Sequence, residues 1–292
     1  MGLWIPFTIF AAFMQSWRNA FQSRLSKEVN TVGVTLARFL WASPLAAIYL
    51  SLLYWIKPVA VPAFDTAFVL TIVAASVSQI FATALMVMLF RLRNYAVGVG
   101  LAKSEAVIAA VLGALFFSAP LTLLAWIGVL IGALAVWLMS NTGAIRELPL
   151  KTVVTGLGSG LCFALTTLWV REAALMLELT FPHSAAWVLL WVISTQTLIL
   201  LVWLLIRDRS TLVALWQRPK AVMLTSLFSC LGSIGWFTAM SLETVAMVKT
   251  LGQVEVLFTL AISARWFREK LGSRDLLGLA FIVVGAICVI VA

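Results

Sequence analysis

LAKSEAVIAA (residues 101–110) and LGQVEVLFTL (residues 251–260) decide how this chain folds. Each sets a glutamate, Glu105 or Glu255, inside a mainly apolar run, and the two glutamates stand 150 residues apart. At the same shift Ala96 meets Ala246, Leu101 meets Leu251, Ala114 meets Ala264, Phe117 meets Phe267, Leu121 meets Leu271 and Gly128 meets Gly278. Nearer the start, Phe13 meets Phe163 and Trp41 meets Trp191. Matches of Ala and Leu arise by chance in such a composition, but matched glutamates inside apolar runs do not. The chain is therefore read as two copies of one unit, residues 1–143 and 144–292.

The surrounding sequence requires a bilayer. Of 292 residues 63% are hydrophobic and 11% charged, with a mean hydropathy of +1.09. Soluble domains are about 45–50% apolar and about 25% charged. Apolar runs of about 20 residues match helices that cross a hydrocarbon core about 30 Å thick. Ten spans are predicted, at 3–25, 32–56, 66–90, 95–118, 121–140, 151–177, 184–206, 219–241, 244–266 and 272–291. The expected fold is an all-α polytopic membrane protein, with ten transmembrane helices as two inverted five-helix repeats around a central cavity. Five is odd, so the second copy enters the membrane upside down. Such repeats mark transporters whose substrate site lies near the midplane.

The net charge of +9 does not indicate nucleic acid, because the charges sit in short loops. Loops after odd-numbered spans hold fourteen Lys and Arg: Arg24, Lys27, Arg91, Arg93, Arg146, Lys151, Arg207, Arg209, Arg218, Lys220, Arg265, Arg268, Lys270 and Arg274. Loops after even-numbered spans hold two, Lys57 and Arg171. The positive-inside rule puts the odd loops in the cytoplasm and both termini outside. MGLWIPF at the start lacks a basic stretch and a small-residue cleavage site, so it is read as the first helix. The expected location is the cytoplasmic (plasma) membrane.

Arg18, Arg38, Lys103 and Lys249 remain within spans, with Glu105 and Glu255. At 1.5 Å per residue, Lys103 lies about 12 Å deep, Glu105 about 15 Å, Lys249 about 8 Å, Gln253 about 14 Å and Glu255 about 16 Å. Each buried charge costs at least about 2.5–3.5 kcal/mol on insertion scales. Lys103 and Glu105 point about 200° apart, so their partners come from other helices or from a substrate. Lys249 and Gln253, four apart, are expected to share a face.

Two compatible readings follow. In one, Lys103–Glu255 and Lys249–Glu105 pair across the halves and lock them together. In the other, these groups line a polar cavity for substrate and for a proton. Arg38, in TLARFLW, and Arg18, in QSWRNAF, either snorkel to the interface or face that cavity. Gln15 and Asn19 flank Arg18 on one helix face, and Gln79 is a further candidate. Four buried cations against two anions favour a substrate bearing a carboxylate or another anionic group. A carrier of lipophilic cations would instead keep lone acids and few bases.

Of thirteen tryptophans, Trp4, Trp55, Trp137, Trp203 and Trp216 sit near span ends as interfacial anchors. Trp17, Trp41, Trp169 and Trp236 are deeper and are candidate cavity aromatics, or packing. GVLIG and GSIG allow close helix approach. TGLGSG follows no strand and is read as packing, not a nucleotide loop. Cys162, Cys230 and Cys288 fall inside spans as small packing residues, and the single His183 builds no metal site. No cofactor, nucleic acid or metal is implied, and no nucleotide-driven motor is encoded. An intramembrane enzyme lacks support, since there is no Ser/His pairing and no acidic dyad at short spacing.

REKLGSRDLLGLAFIVVGAICVIVA (268–292), with Glu269, Gly278 and Gly285, and FFSAPLTLLAWIGVLIGALAV (116–136), with Gly128 and Gly132, resemble the drug/metabolite transporter superfamily, specifically its EamA-type members. The first copy departs by placing Ser118-Ala119-Pro120 where the family keeps an acidic residue. The resemblance also implies cytoplasmic termini, against the charge count, and the count is followed here. It implies alternating access and export of small metabolites, amino acids being a frequent cargo. The expected function is thus secondary transport of a small carboxylate-bearing solute, with protons as candidate coupling ion, lipid as surroundings and a monomer sufficient for a pathway. The rivals are an exporter of cationic drugs and a flippase-like lipid-handling subunit.

Overall fold

The computed structural model describes residues 2–92, 102–117, 121–140, 150–266 and 273–292. The described residues contain no strand. The helices are α1 (Trp4–Leu25), α2 (Thr31–Phe39), α3 (Ala42–Ile56), α4 (Thr66–Leu92), α5 (Glu105–Phe116), α6 (Leu123–Ser140), α7 (Leu150–Met176), α8 (His183–Arg207), α9 (Arg209–Trp216), α10 (Pro219–Leu242), α11 (Val245–Leu251), α12 (Glu255–Trp266) and α13 (Ser273–Val291). A 3₁₀ turn, Gly252–Val254, joins α11 to α12. The start of the fourth predicted span, Arg93, Arg146, Arg268, Glu269, Lys270 and Ser118-Ala119-Pro120 lie outside the described residues.

Among the described residues six segments are long and apolar enough to cross a membrane: Thr31–Ile56, Thr66–Arg91, Leu150–Met176, His183–Arg207, Pro219–Leu242 and Val245–Ile262. Glu105–Phe116, Leu123–Ala135 and Ala280–Val291 are shorter apolar helices. α1 is not among the six. Its 22 residues bury Ser16, Arg18, Asn19, Gln22 and Ser23 against other helices. The short helix α9 was not anticipated from the sequence.

Three predicted spans are broken, one of them at Lys103–Ser104, and in the other two a Pro or a Gly marks the break. The second predicted span bends at Leu40–Trp41, between α2 and α3. Pro44 has no N–H for the carbonyl of Leu40 four residues earlier, and its ring crowds that carbonyl. The ninth breaks at Gly252, where a Cβ would stand 2.4 Å from Cη2 of Trp236. A bare backbone is what lets the indole sit against the turn.

α4 packs along α7, α1 along α10, and α6 along α13. α5 contacts α7, α12 contacts α1, and α5 meets α11. At one end of the bundle, Arg218 Nε meets Glu28 Oε2 at 2.6 Å, joining the α9–α10 junction to the loop after α1. Asn30 Nδ2 donates to Asp208 Oδ2 at 2.9 Å and Arg91 Nη1 to Thr31 Oγ1 at 3.5 Å, which brings the basic ends of α4 and α8 to the start of α2. At the other end Arg171 Nη1 donates to the carbonyls of Met240 (2.6 Å) and Glu243, holding α7 to the end of α10. Trp55, Trp203 and Trp216 are exposed, as an anchor is. Trp4 is buried in the core instead, and the side chain of Trp137 lies outside the described residues.

Candidate functional site

The buried polar groups converge at the bundle centre on a cavity lined by Gln15, Arg18, Asn19, Arg38, Gln79, Lys103, Glu105, Thr167, Ser233, Trp236, Lys249 and Glu255, with Met86, Phe163, Phe237 and Met240 as apolar wall. Both glutamates stand at helix starts. Glu105 is the first residue of α5, after a turn at Lys103–Ser104, and Glu255 the first residue of α12, after the 3₁₀ turn. A helix start presents unpaired N–H groups and a positive dipole end, so a carboxylate is favoured there. Broken helices at membrane depth are tolerated where they line a polar cavity. Gly160 of TGLGSG packs against the turn at Lys103–Ser104: a Cβ there would fall 2.1 Å from Ser104 Oγ.

The charges are paired crosswise between the halves. Lys103 Nζ binds Glu255 Oε2, and Lys249 Nζ lies 2.8 Å from Glu105 Oε1. Glu255, fully buried, also accepts from Gln15 Nε2 at 2.5 Å and Asn19 Nδ2 at 2.8 Å. Asn19 in turn accepts from Arg18 Nη2 at 2.7 Å. Trp236 Nε1 donates to Gln15 Oε1 at 2.9 Å, and its ring centroid lies 4.2 Å from Lys249 Nζ. This is an electrostatic contact of ammonium with the ring face.

Arg38 is 2% exposed and Arg18 1%, so neither snorkels. Arg38 Nη1 donates to Thr83 Oγ1 at 2.6 Å, and its guanidinium carbon lies 5.2 and 5.8 Å from the rings of Phe39 and Phe163. Among the described residues no carboxylate lies within 4.0 Å of it. Gln79 Oε1 accepts from Gln196 Nε2 at 2.6 Å.

Four of the sequence candidates lie elsewhere. Gln253 does not share the face of Lys249, because the 3₁₀ turn resets the helical phase between them; its amide presses against Gly132. Trp41 is 40% exposed and lines a lateral apolar groove with Leu40, Pro44, Leu201 and Trp216. Trp17 stacks on Phe21, 6.1 Å between centroids, and Trp169 packs on the outside of the core. Of the four aromatics, Trp236 lines the cavity. Thr83, Thr167, Ser233 and Gln196 were not singled out from the sequence. Single hydroxyls and amides in apolar helices give no periodic signal, and their value depends on neighbours 45 to 117 positions away.

The space open to a water-sized sphere is about 30 Å³. That admits water, not a metabolite. The described state is therefore closed on its own polar groups.

Residues 150–291 match the EamA-like transporter family. No curated protein matches the chain. Among solved structures 28 chains match. One is a crystal structure that superposes with a TM-score of 0.73 at 12% sequence identity, covering 98% of this chain and 95% of its own. At that identity the likeness speaks for the fold.

Proposed function

The chain belongs to the EamA-like transporter family, a family of membrane transporters of the drug/metabolite superfamily, and on that premise we propose that it is a secondary transporter of small solutes bearing a carboxylate or another anionic group. Arg38 carries this reading. A guanidinium buried at the central cavity, bonded to a hydroxyl, set against two aromatic rings and, among the described residues, paired with no carboxylate, is a receptor for an anion. The four cations of the cavity outnumber its two carboxylates, so an incoming anion improves its charge balance. Lys103 and Lys249 release their glutamates to bind the solute. The freed glutamate is the site for a coupled proton.

Alternating access follows from reading the chain as two inverted five-helix halves, 1–143 and 144–292, in ten spans. The packing supports this. α4 on α7 and α1 on α10 are the same pair of elements with the halves exchanged, as are α5 on α7 and α12 on α1. The gathering of Arg91, Arg207, Arg209 and Arg218 at one end supports the orientation with those loops cytoplasmic, in the plasma membrane. One chain lines the cavity, so a monomer is sufficient for a pathway, and export is the favoured direction.

The test is a thermal-shift and proteoliposome uptake screen of amino acids, organic anions and quaternary amines. A carboxylate that stabilises the wild type is expected to bind Arg38→Gln about 10- to 100-fold more weakly, the loss of one charge-assisted hydrogen bond of about 1.5–3 kcal/mol. Stabilisation by amines alone would replace this reading with export of cations.

A further inference from the structure

A second cavity lies one helical turn from the first between the same helices. It is lined on α5 by Ala109, Ala110 and Gly113, on α7 by Leu168, Arg171 and Glu172, and on α11 by Val245 and Ala246. Each wall has a residue of the central cavity four positions away: Glu105 beside Ala109, Thr167 beside Arg171, Lys249 beside Val245. Four residues make about one turn, about 6 Å along the helix. The walls of α5 and α11 are small side chains, which leave room between them. The cavity runs toward the end of the bundle where Arg171 grips the carbonyls of Met240 and Glu243, away from the basic loops.

What separates the two cavities is an ion pair. Lys249 on α11 and Glu105 on α5 close the gap between those helices at the level where the upper cavity meets the central one. The other pair lies deeper. Lys103 precedes Glu105 on a strand of chain rising toward the Arg171 end. Glu255 follows Lys249 by six residues on one descending from it. By the direction of these two segments, Lys249–Glu105 lies nearer the Arg171 end and Lys103–Glu255 nearer the basic loops.

Resting on the transport reading, we propose that the upper cavity is the vestibule of the pathway on the Arg171 side, that the Lys249–Glu105 pair is its bar, and that Lys103–Glu255 bars the opposite side. The two pairs then serve different openings, and each is broken when its own side opens. Ala109 and Ala246 are positioned as the path's lining beyond the bar.

Cysteine accessibility tests this without a known substrate. Single cysteines are placed at Glu172, the half-buried residue of the vestibule, and at Ser233 of the central cavity, in a background of Cys162→Ser, Cys230→Ser and Cys288→Ser. A membrane-impermeant thiosulfonate is applied to right-side-out and inverted vesicles. From the Arg171 side, Glu172→Cys is expected to react and Ser233→Cys to stay protected. Adding Glu105→Gln is expected to speed Ser233→Cys labelling from that side at least about tenfold, and Lys103→Gln from the opposite side only. Should Glu105→Gln fail to fold, as judged by size-exclusion profile, Lys249→Gln opens the same bar. Silence at Glu172→Cys from both faces, or equal effects of the two pairs on both faces, overturns the proposal. The transport reading falls separately: correct labelling in a protein that moves no solute leaves the path and removes the function.

Discussion

Glu255 collects donors from two elements of one half, Gln15 and Asn19 of α1 and Lys103 before α5, while belonging to the other half. Removing one member of a buried pair leaves the other charged and unpartnered, which costs about 3–5 kcal/mol, whereas replacing both with apolar groups of similar volume is near neutral. Lys103→Met is therefore expected to lower detergent-solubilised thermal stability strongly, and Lys103→Met with Glu255→Leu to recover most of it with no transport. An additive loss in the double variant would remove the pair from the fold's support. Outside the spans, Asp208 caps α9. Hydrogen bonds from Ser210, from the Thr211 side chain and backbone, and from Asn30 hold its carboxyl at about 2, below its ordinary 3.8. A depressed folded value means that the stabilisation is present above the unfolded value and vanishes as pH falls through the folded one. The Asn30–Asp208 tie is thus expected to weaken between about pH 4 and pH 2, and Asp208→Asn to flatten that part of a stability–pH curve. At this scale the sequence was readable where chemistry was extreme. Two charges expected to point about 200° apart need partners from other helices or from a substrate, and each is paired with a residue of another segment. Arg38 was ambiguous, because its distance from the span end fits both a snorkelling side chain and a cavity-facing one.

The helix breaks set where these side chains point. Gly252 leaves the space that the Trp236 indole fills, and Trp236 in turn holds Gln15 and faces Lys249. Gly252→Ala drives a methyl into that ring and is expected to destabilise by about 1–3 kcal/mol, as overpacking does. Gly252→Ala with Trp236→Phe should regain part of the loss in a thermal melt, while an unchanged single variant would show that the turn has slack. Of the three breaks, the one at Leu40–Trp41 is written in the sequence by Pro44, and the one before Glu255 by Gly252. The turn at Lys103–Ser104 has neither Gly nor Pro. It exists because of tertiary partners, Gly160 on one side and Glu255 on the other. This is why Gln253 was misplaced: a helix assumed continuous puts it beneath Lys249, and the 3₁₀ turn moves it to Gly132. α9 was missed because eight residues with an aspartate cap look like any polar loop.

Across the whole molecule each half supplies what the other lacks. α1 lies on α10 and α4 on α7, and both ion pairs cross between halves. Residues 1–143 and 144–292 expressed separately are expected to be unstable alone and to copurify when made together. A half that is monodisperse on its own would contradict a shared core. Hydropathy made the all-helical membrane class legible, since it is a sum over many residues; the closed state of the cavity was not, because about 30 Å³ of space is a property of packing. The register also exposes a mismatch. Glu105 and Glu255 coincide at the shift, but Lys103 coincides with Gln253 and Lys249 with Val99. Two identical five-helix subunits would be obliged to carry the same lysine twice and would show the membrane two equivalent faces. On the proposed reading of two inverted copies with an ion pair barring each side, joining the copies in one polypeptide leaves the two lysines free to sit at different heights, so that the resistance to opening is unequal on the two faces and the molecule carries an arrow of its own.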